Sequence, residues 1–419
     1  MPTAVSPDLR ERLVALRRDL HEHPELAFAE HRTCDVLARE LNSLSPVSIA
    51  RVAGTGLIAR IRGRDTTAPV VAIRGDIDAL PVQEATGLAF ASANAGVMHA
   101  CGHDVHAAWA FGAAALLSDV PAHGDVLVVF QPAEEVGEGA AAVMRSGLLA
   151  DVRAIFGAHV DRRFRVGQVV AQAGPLAASA DVFEVVLAGT GAHGARPHES
   201  ADPIVCMAAI IGALQTIVSR RVNPAEPAVV TVGMVSAGSA ANVIPERAEL
   251  RGTLRATDHA TRALLQRELQ NICSHIAAAH HVDARVTFSA GVPPVVNDAR
   301  ASVWAADAAS SVLGDEAVVP LGTVNMAAED FAWYQQEIPG CFLRIGARDA
   351  DAPFIPAHSP TFDVAEGAIA VGAAVLAECA RRASLALARE GYKRCRRWRR
   401  AASAAQRRRC RSARCWPWA

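Results

Sequence analysis

Lysine is almost absent. Of 42 basic residues in the 419-residue chain, Lys393 alone is a lysine. So strong a preference for arginine in an alanine-rich chain reads as a coding bias of the source genome, not as a sign of function. No uncharged apolar run reaches the roughly 20 residues that a membrane-spanning helix needs, which argues against a membrane protein. The longest candidates, 107–117 and 368–377, are Ala/Gly-rich and suit buried helices. The first 18 residues carry Asp8, Glu11 and several arginines without a long apolar core. No secretory signal is expected there, and the chain is expected to be cytoplasmic. The body has no CxxC pair: Cys34, Cys101, Cys206, Cys273, Cys341 and Cys379 are widely spaced. A disulfide scaffold is thereby excluded, and, Cys101 apart, buried reduced thiols are expected. Internal repeats are also lacking. What remains is an ordinary globular balance, 51% hydrophobic and 20% charged residues, enough for a large core and too apolar for a disordered chain.

The net charge of −1 conceals an uneven distribution. From Gly391 onward there are eleven basic residues and no acidic ones, so the body is clearly acidic. The same tail holds Cys395, Cys410, Cys415, Trp398, Trp416 and Trp418. Basic residues interleaved with aromatics suit nucleic acid or an anionic surface. No nucleic-acid module occurs elsewhere, so residues 391–419 read as a solvated, disordered tail whose composition also fits a shifted reading frame at the end of the gene.

Strands at 56–61, 70–74, 125–131 and 154–159 alternate with helices, and their continuous apolar character predicts a mostly parallel sheet covered on both faces. The texture changes near Ser179. From there to about 289 the pattern is β-α-β-β-α-β, the ferredoxin-like order. Helices at 301–313 and 364–387 flank a further strand at 342–345. The expected architecture is α/β, with a catalytic domain formed by 1–178 and 291–390 and a small α+β domain, 179–290, inserted between them.

Four pieces carry chemistry. The first is the run from Met98 to His106, MHACGHDVH, where Cys101 and His103 stand two apart. Thiolate and imidazole suit zinc, and a carboxylate beside them also accepts manganese. Gly102 permits the tight backbone that such close ligands need. The second is Glu134-Glu135, directly after an apolar strand, where open α/β sheets place their ligands. One of the pair can bind metal and the other serve as general base. The third and fourth are His159, at the end of a strand, and His358, in a proline-rich loop. Singly, each piece has a structural explanation. Together they supply Cys, three His and Glu with a spare Glu, a count that fits a two-metal hydrolytic centre better than a single-metal site.

These residues resemble those of the M20 metallopeptidase family, in particular its amidohydrolase branch of hippurate hydrolases, N-acyl-amino-acid amidohydrolases and auxin-conjugate hydrolases. The resemblance rests on RRDLHEHPELAF, RGDIDALP, MHACGHDVHAA, VFQPAEE, GAHV, GTGAHGARPH, NVIPERAELRGTLR, AEDF and AHSPTF, in this order from about Arg17 to Arg382. It implies a dinuclear-metal hydrolase domain with an inserted lid and dimerisation domain. It implies Cys101, His103, Glu135, His159 and His358 as ligands of two divalent ions, zinc or manganese, with Cys101 bridging them. Glu134 takes the general-base position, and Asp76 is read as a partner that orients a ligand. His193 matches a histidine that reaches a neighbouring subunit's active site, which implies a homodimer. Asn242 and Arg255 match residues holding the substrate carboxylate or the developing oxyanion. For His198, Glu329 and Asp330 a structural role is at least as plain. Ala192, Ala328 and Ala357 depart from the usual motifs without removing a ligand.

The implied reaction is hydrolysis of the amide of an N-acyl amino acid, N-acetyl, N-benzoyl or similar, by a metal-activated water with Glu134 as base. The implied partner is this small-molecule substrate, with neither nucleic acid nor membrane. The alternatives are a dipeptidase or an N-carbamoyl-amino-acid hydrolase on the same scaffold. From another class, the alternative is a non-catalytic metal- or nucleic-acid-binding protein, against which the retention of every ligand and Glu134 speaks.

Overall fold

The computed structural model describes the backbone of residues 4–289 and 291–412, and side chains as far as Glu390. Seven strands form the main sheet, in the order Ser48–Val52, Gly56–Ile61, Val126–Gln131, Val70–Asp76, Val152–Arg165, Gly340–Arg348 and Val169–Val170. The four inner neighbours run parallel, and both flanks are antiparallel. Val70–Asp76 and Val126–Gln131 are buried at every position, so both faces must be covered, as their unbroken apolar sequences predict.

On one face, Pro7–Glu22, His103–Asp119, Ala299–Leu313 and the start of Gly367–Ser412 pack around Leu13, Trp109 and Phe111. The helix His103–Asp119 is buried along almost its whole length. A side chain at Gly112 would meet Leu13 and Ala373 within 3 Å, so the neighbouring helices pack directly on its backbone. On the other face, Phe331, Tyr334 and Phe342 pack with Gly139–Arg145 and Ala332–Gln335.

The inserted segment forms its own four-stranded antiparallel sheet, ordered Ala228–Ala237, Arg247–Ala256, Asp181–Ala188 and Asp283–Phe288. This is the spatial order of a ferredoxin-like unit. Pro203–Arg220 and His259–Ala279 cover one face through Ile210, Leu214, Leu265 and Leu269. Asp202 and Asp258 cap these helices, accepting hydrogen bonds from Val205 N and Thr261 N. Pro203–Arg220 has the length and apolarity to cross a bilayer, alone among the described residues. Its inner side is buried against this sheet. The unit joins the main domain where Arg262 grips Asp181 with two hydrogen bonds of 2.7 and 2.8 Å and donates to Gly291 O.

Two elements near the site differ from expectation. The central helix begins at His103, not near 107, so the polar motif forms its first turn. His159 lies mid-strand, because Val152–Arg165 continues pairing with Gly340–Arg348 beyond it. Side chains from 391 and backbone from 413 lie outside the described residues, and with them the expectation of a disordered tail.

Candidate metal centre

The centre lies beyond the ends of Val70–Asp76 and Val126–Gln131 and beside the middle of Val152–Arg165. Gly102 adopts φ +90° as the residue before the helix, and a Cβ there would come within 2.6 Å of Val160 Cγ2. This left-handed step brings Cys101 and His103 to the same place. His103 Nδ1 donates to the backbone oxygen and carboxylate of Asp78 at 3.0 and 3.1 Å. Its Nε2 therefore presents a lone pair to the centre. Asp78 also accepts from Glu135 N at 3.0 Å, tying the two glutamates to the same loop. His159 Nδ1 faces Val160 O at 2.7 Å, which leaves Nε2 3.3 Å from Cys101 Sγ. His358 sits in a left-handed backbone conformation, φ +67°, with its N–H on Ala100 O. Its Nε2 lies 3.5 Å from Glu135 Oε2.

The donor atoms converge as two triads, Cys101–His103–His159 and Cys101–Glu135–His358, each within 4.8 Å. Cys101 belongs to both. His103 Nε2 and Glu135 Oε1 stand 3.8 Å apart, buried and without a hydrogen-bond partner. Orphaned buried atoms of this kind are rare in folded proteins. Their thiol, imidazole and carboxylate chemistry fits a pair of divalent transition-metal ions.

Burial pushes the Cys101 thiol up, reinforced by the Glu135 charge. Burial, with His106 and Arg344 nearby, holds His159 well below the usual imidazole range, so it stands neutral and able to ligate. Burial also opposes charge on His103, but Asp76 and Asp78 outweigh it and raise its pKa. Glu134 is raised well above the carboxylate range, first by burial and then by Glu329 and Asp330. A divalent cation favours the deprotonated form of each of these groups.

Behind the candidate ligands lies a buried polar cluster. Arg74 donates to Asp76 at 2.5 Å, Glu329 at 3.0 Å, Asp330 at 2.9 Å and Gln131 at 2.8 Å. The Asp330 backbone N–H in turn reaches Glu134 Oε1 at 3.3 Å. Asp76, read as orienting a ligand, is committed to Arg74 and to His106 Nδ1 at 2.5 Å. The carboxylate on His103 Nδ1 is Asp78, which sequence reasoning quoted in its motif without assigning it a role. The signal was the pair of aspartates two apart, Asp76 closing the strand and Asp78 just beyond it.

This geometry meets an independent sequence match: residues 72–382 correspond to Peptidase family M20/M25/M40. The chain belongs to that family. N-acetylcysteine deacetylase of Bacillus subtilis is 41% identical over 373 residues, covering 88% of this chain and 96% of that protein. An IAA-amino acid hydrolase of Arabidopsis thaliana is 38% identical over 383 residues, covering 90% and 86%. Among solved structures, a Bacillus subtilis protein described as a dinuclear metal binding peptidase of the M20 family aligns with a TM-score of 0.79 and 38% identity. The alignment covers 91% of this chain and 98% of that one. The present protein is thus an M20-type metal-dependent amidohydrolase.

In this M20 enzyme two cavities flank the centre and share Met326. One, of about 500 Å³, is lined by Glu134, Glu135, His358 and Arg255. The other, of about 350 Å³, is lined by His159 and Arg344. Arg255 also donates to Met326 O at 3.0 Å. His193 and Asn242 line neither cavity. They meet on an exposed ribbon where Ala192–His193 pairs with Val243–Ile244. His198 is exposed nearby, beside Glu199.

Proposed function

We propose that this M20 enzyme hydrolyses N-acyl amino acids to an amino acid and a carboxylic acid. The observation that carries the reading is the convergence of the orphaned His103 Nε2 and Glu135 Oε1 with a cavity-lining glutamate, Glu134, 3.9 Å from the same nitrogen. The named activities of the relatives supply the substrate class: a deacetylase of N-acetylcysteine and a hydrolase of an amino-acid conjugate.

Cys101, His103 and His159 would hold one metal ion, and Cys101, Glu135 and His358 the other. Bound there, two divalent ions supply Lewis acidity that makes water a nucleophile at neutral pH. Glu134 accepts the proton that water loses on attacking the amide carbon. As the C–N bond breaks, the same carboxyl returns that proton to the leaving amine. Asp330, through its backbone N–H, and Arg74 behind it hold the Glu134 carboxylate in place. Arg255 faces the larger cavity and can contact an anionic or carbonyl group of the substrate.

His193 enters this reading through a homodimer. The inserted unit exposes Met234 at 65% and Val235 at 57%, on an edge strand, with Val205 and Val243 also exposed. Apolar exposure along an unpaired edge suits a symmetric partner, and His193 stands on the same unit, away from its own chain's cavities.

Glu134→Gln tests the assignment of the base. It keeps both metals, measured by elemental analysis, and lowers kcat by at least about 100-fold. A near-full rate would overturn the role of Glu134.

A further inference from the structure

Glu30 is the last residue before the helix His31–Asn42, the position whose side chain ordinarily caps a helix. Its carboxylate does not do so. Glu25 takes that task instead, accepting hydrogen bonds from Arg32 N at 3.0 Å and Thr33 N at 2.8 Å. The Glu30 side chain turns inward and is fully buried. Its Oε1 accepts from Ala133 N at 2.9 Å, 103 positions along the chain, and its Oε2 accepts from the Thr55 hydroxyl. Neither donor is charged, and among the described residues no cation pairs with Glu30. A buried carboxylate without a counter-ion is costly, and the helix it precedes makes no use of it.

What this carboxylate holds is the turn that carries both glutamates of the centre. Ala133 is buried and left-handed, φ +55°, a conformation that favours glycine. From there the backbone is tied at each step. Ala133 O accepts from Gly139 N at 3.1 Å, Glu134 O from Gly137 N at 2.8 Å, and the Asp78 carboxylate from Glu135 N at 3.0 Å. A side chain at Gly139 would fall within 1.7 Å of Pro132 O, so the turn closes on its own backbone. Glu134 is thus aimed by a chain whose first fixed point is Ala133 N. We propose that Glu30 is a positioning residue: by pinning Ala133 it sets where the Glu134 carboxylate stands, without touching substrate or metal. This rests on the reading of Glu134 as general base. A misplacement of about 1 Å in a reacting group can cost about 100-fold in rate.

The test joins methionine release from N-acetyl-L-methionine by the manganese-loaded enzyme with deuterium exchange at the Ala133 amide, resolved by overlapping peptides. Glu30→Asp keeps the charge but withdraws it by one methylene. It is expected to lower kcat at least about tenfold, with KM changed less than about twofold and two ions still bound. Glu30→Gln keeps an acceptor for Ala133 N and most of kcat. Exchange at Ala133 rises at least about tenfold in Glu30→Asp and stays slow in Glu30→Gln. Added to Glu134→Gln, Glu30→Asp causes no further loss of rate, because the group it positions is already gone. A near-full rate in Glu30→Asp, unchanged exchange, loss of the ions, or an equal further loss in the Glu134→Gln background overturns the assignment. Should Glu30→Asp not fold, an Ala133 amide that exchanges in the wild-type enzyme as fast as an exposed loop overturns it as well. A near-full rate in Glu134→Gln alone counts against the base, whereas exchange at Ala133 judges the pin independently.

Discussion

Arg74 is the residue on which the buried polar layer turns. It is fully buried and pairs with Asp76, Glu329 and Asp330 at once. Burial opposes its charge, yet the surrounding carboxylates hold its pKa well above the usual value. Removing it leaves several buried anions uncompensated. Arg74→Met is expected to destabilise the protein by about 3–5 kcal/mol in urea unfolding. A loss below about 1 kcal/mol would show that the cluster rearranges freely. The same residue shows where sequence reading ends. Cys101, His103, Glu134 and Glu135 were legible because each pair is adjacent or nearly so and each type has its own metal or acid–base chemistry. Arg74 was not, because its partner Glu329 lies 255 positions away. Asp76 and Asp78 were both quoted in a motif, but which one holds His103 depends on the path of the chain after the strand.

Among elements, the first turn of His103–Asp119 is the critical one. Its start depends on Gly102 in a left-handed conformation against Val160. Gly102→Ala adds about 1–2 kcal/mol of backbone strain and a clash with a buried strand. It is expected to misdirect Cys101 and His103 and to weaken metal binding at least about tenfold, measured by competition with a chelating dye. Unchanged affinity would mean that the backbone step is not needed. Other helices carry plain end signals: Pro7–Glu22 and Pro203–Arg220 begin with proline, and Asp258 caps His259–Ala279. The central helix was misplaced at its start because it is buried all round. Its sequence therefore lacks amphipathic periodicity, and its first turn is polar, with His103, Asp104 and His106. The strand through His159 was cut short because its second half alternates buried and exposed positions, unlike its apolar first half.

At the scale of the whole molecule, the β-α-β-β-α-β order of the inserted unit was plain in the sequence, and its four-stranded sheet follows. Only the family resemblance, and no periodicity of the chain itself, pointed to His193 acting on a neighbouring subunit. The dimer reading makes a sharp prediction. Mixing inactive Glu134→Gln and His193→Ala chains creates hybrid dimers in which one site has an intact Glu134 and receives an intact His193 from its partner. With random exchange, about a quarter of wild-type activity is expected. No recovery, with exchange verified by mass, would place His193 within its own subunit or outside catalysis.

The central claim is metal-dependent amide hydrolysis at the Cys101–Glu135 centre. Its most direct test is amino-acid release from a panel of N-acetyl, N-benzoyl and longer N-acyl amino acids, before and after chelation and after reloading with manganese or zinc. The account predicts that release stops on chelation and returns as about two ions per chain are bound. A folded chain carrying two ions that releases no amino acid from any of the panel, or release indifferent to chelation, would contradict it.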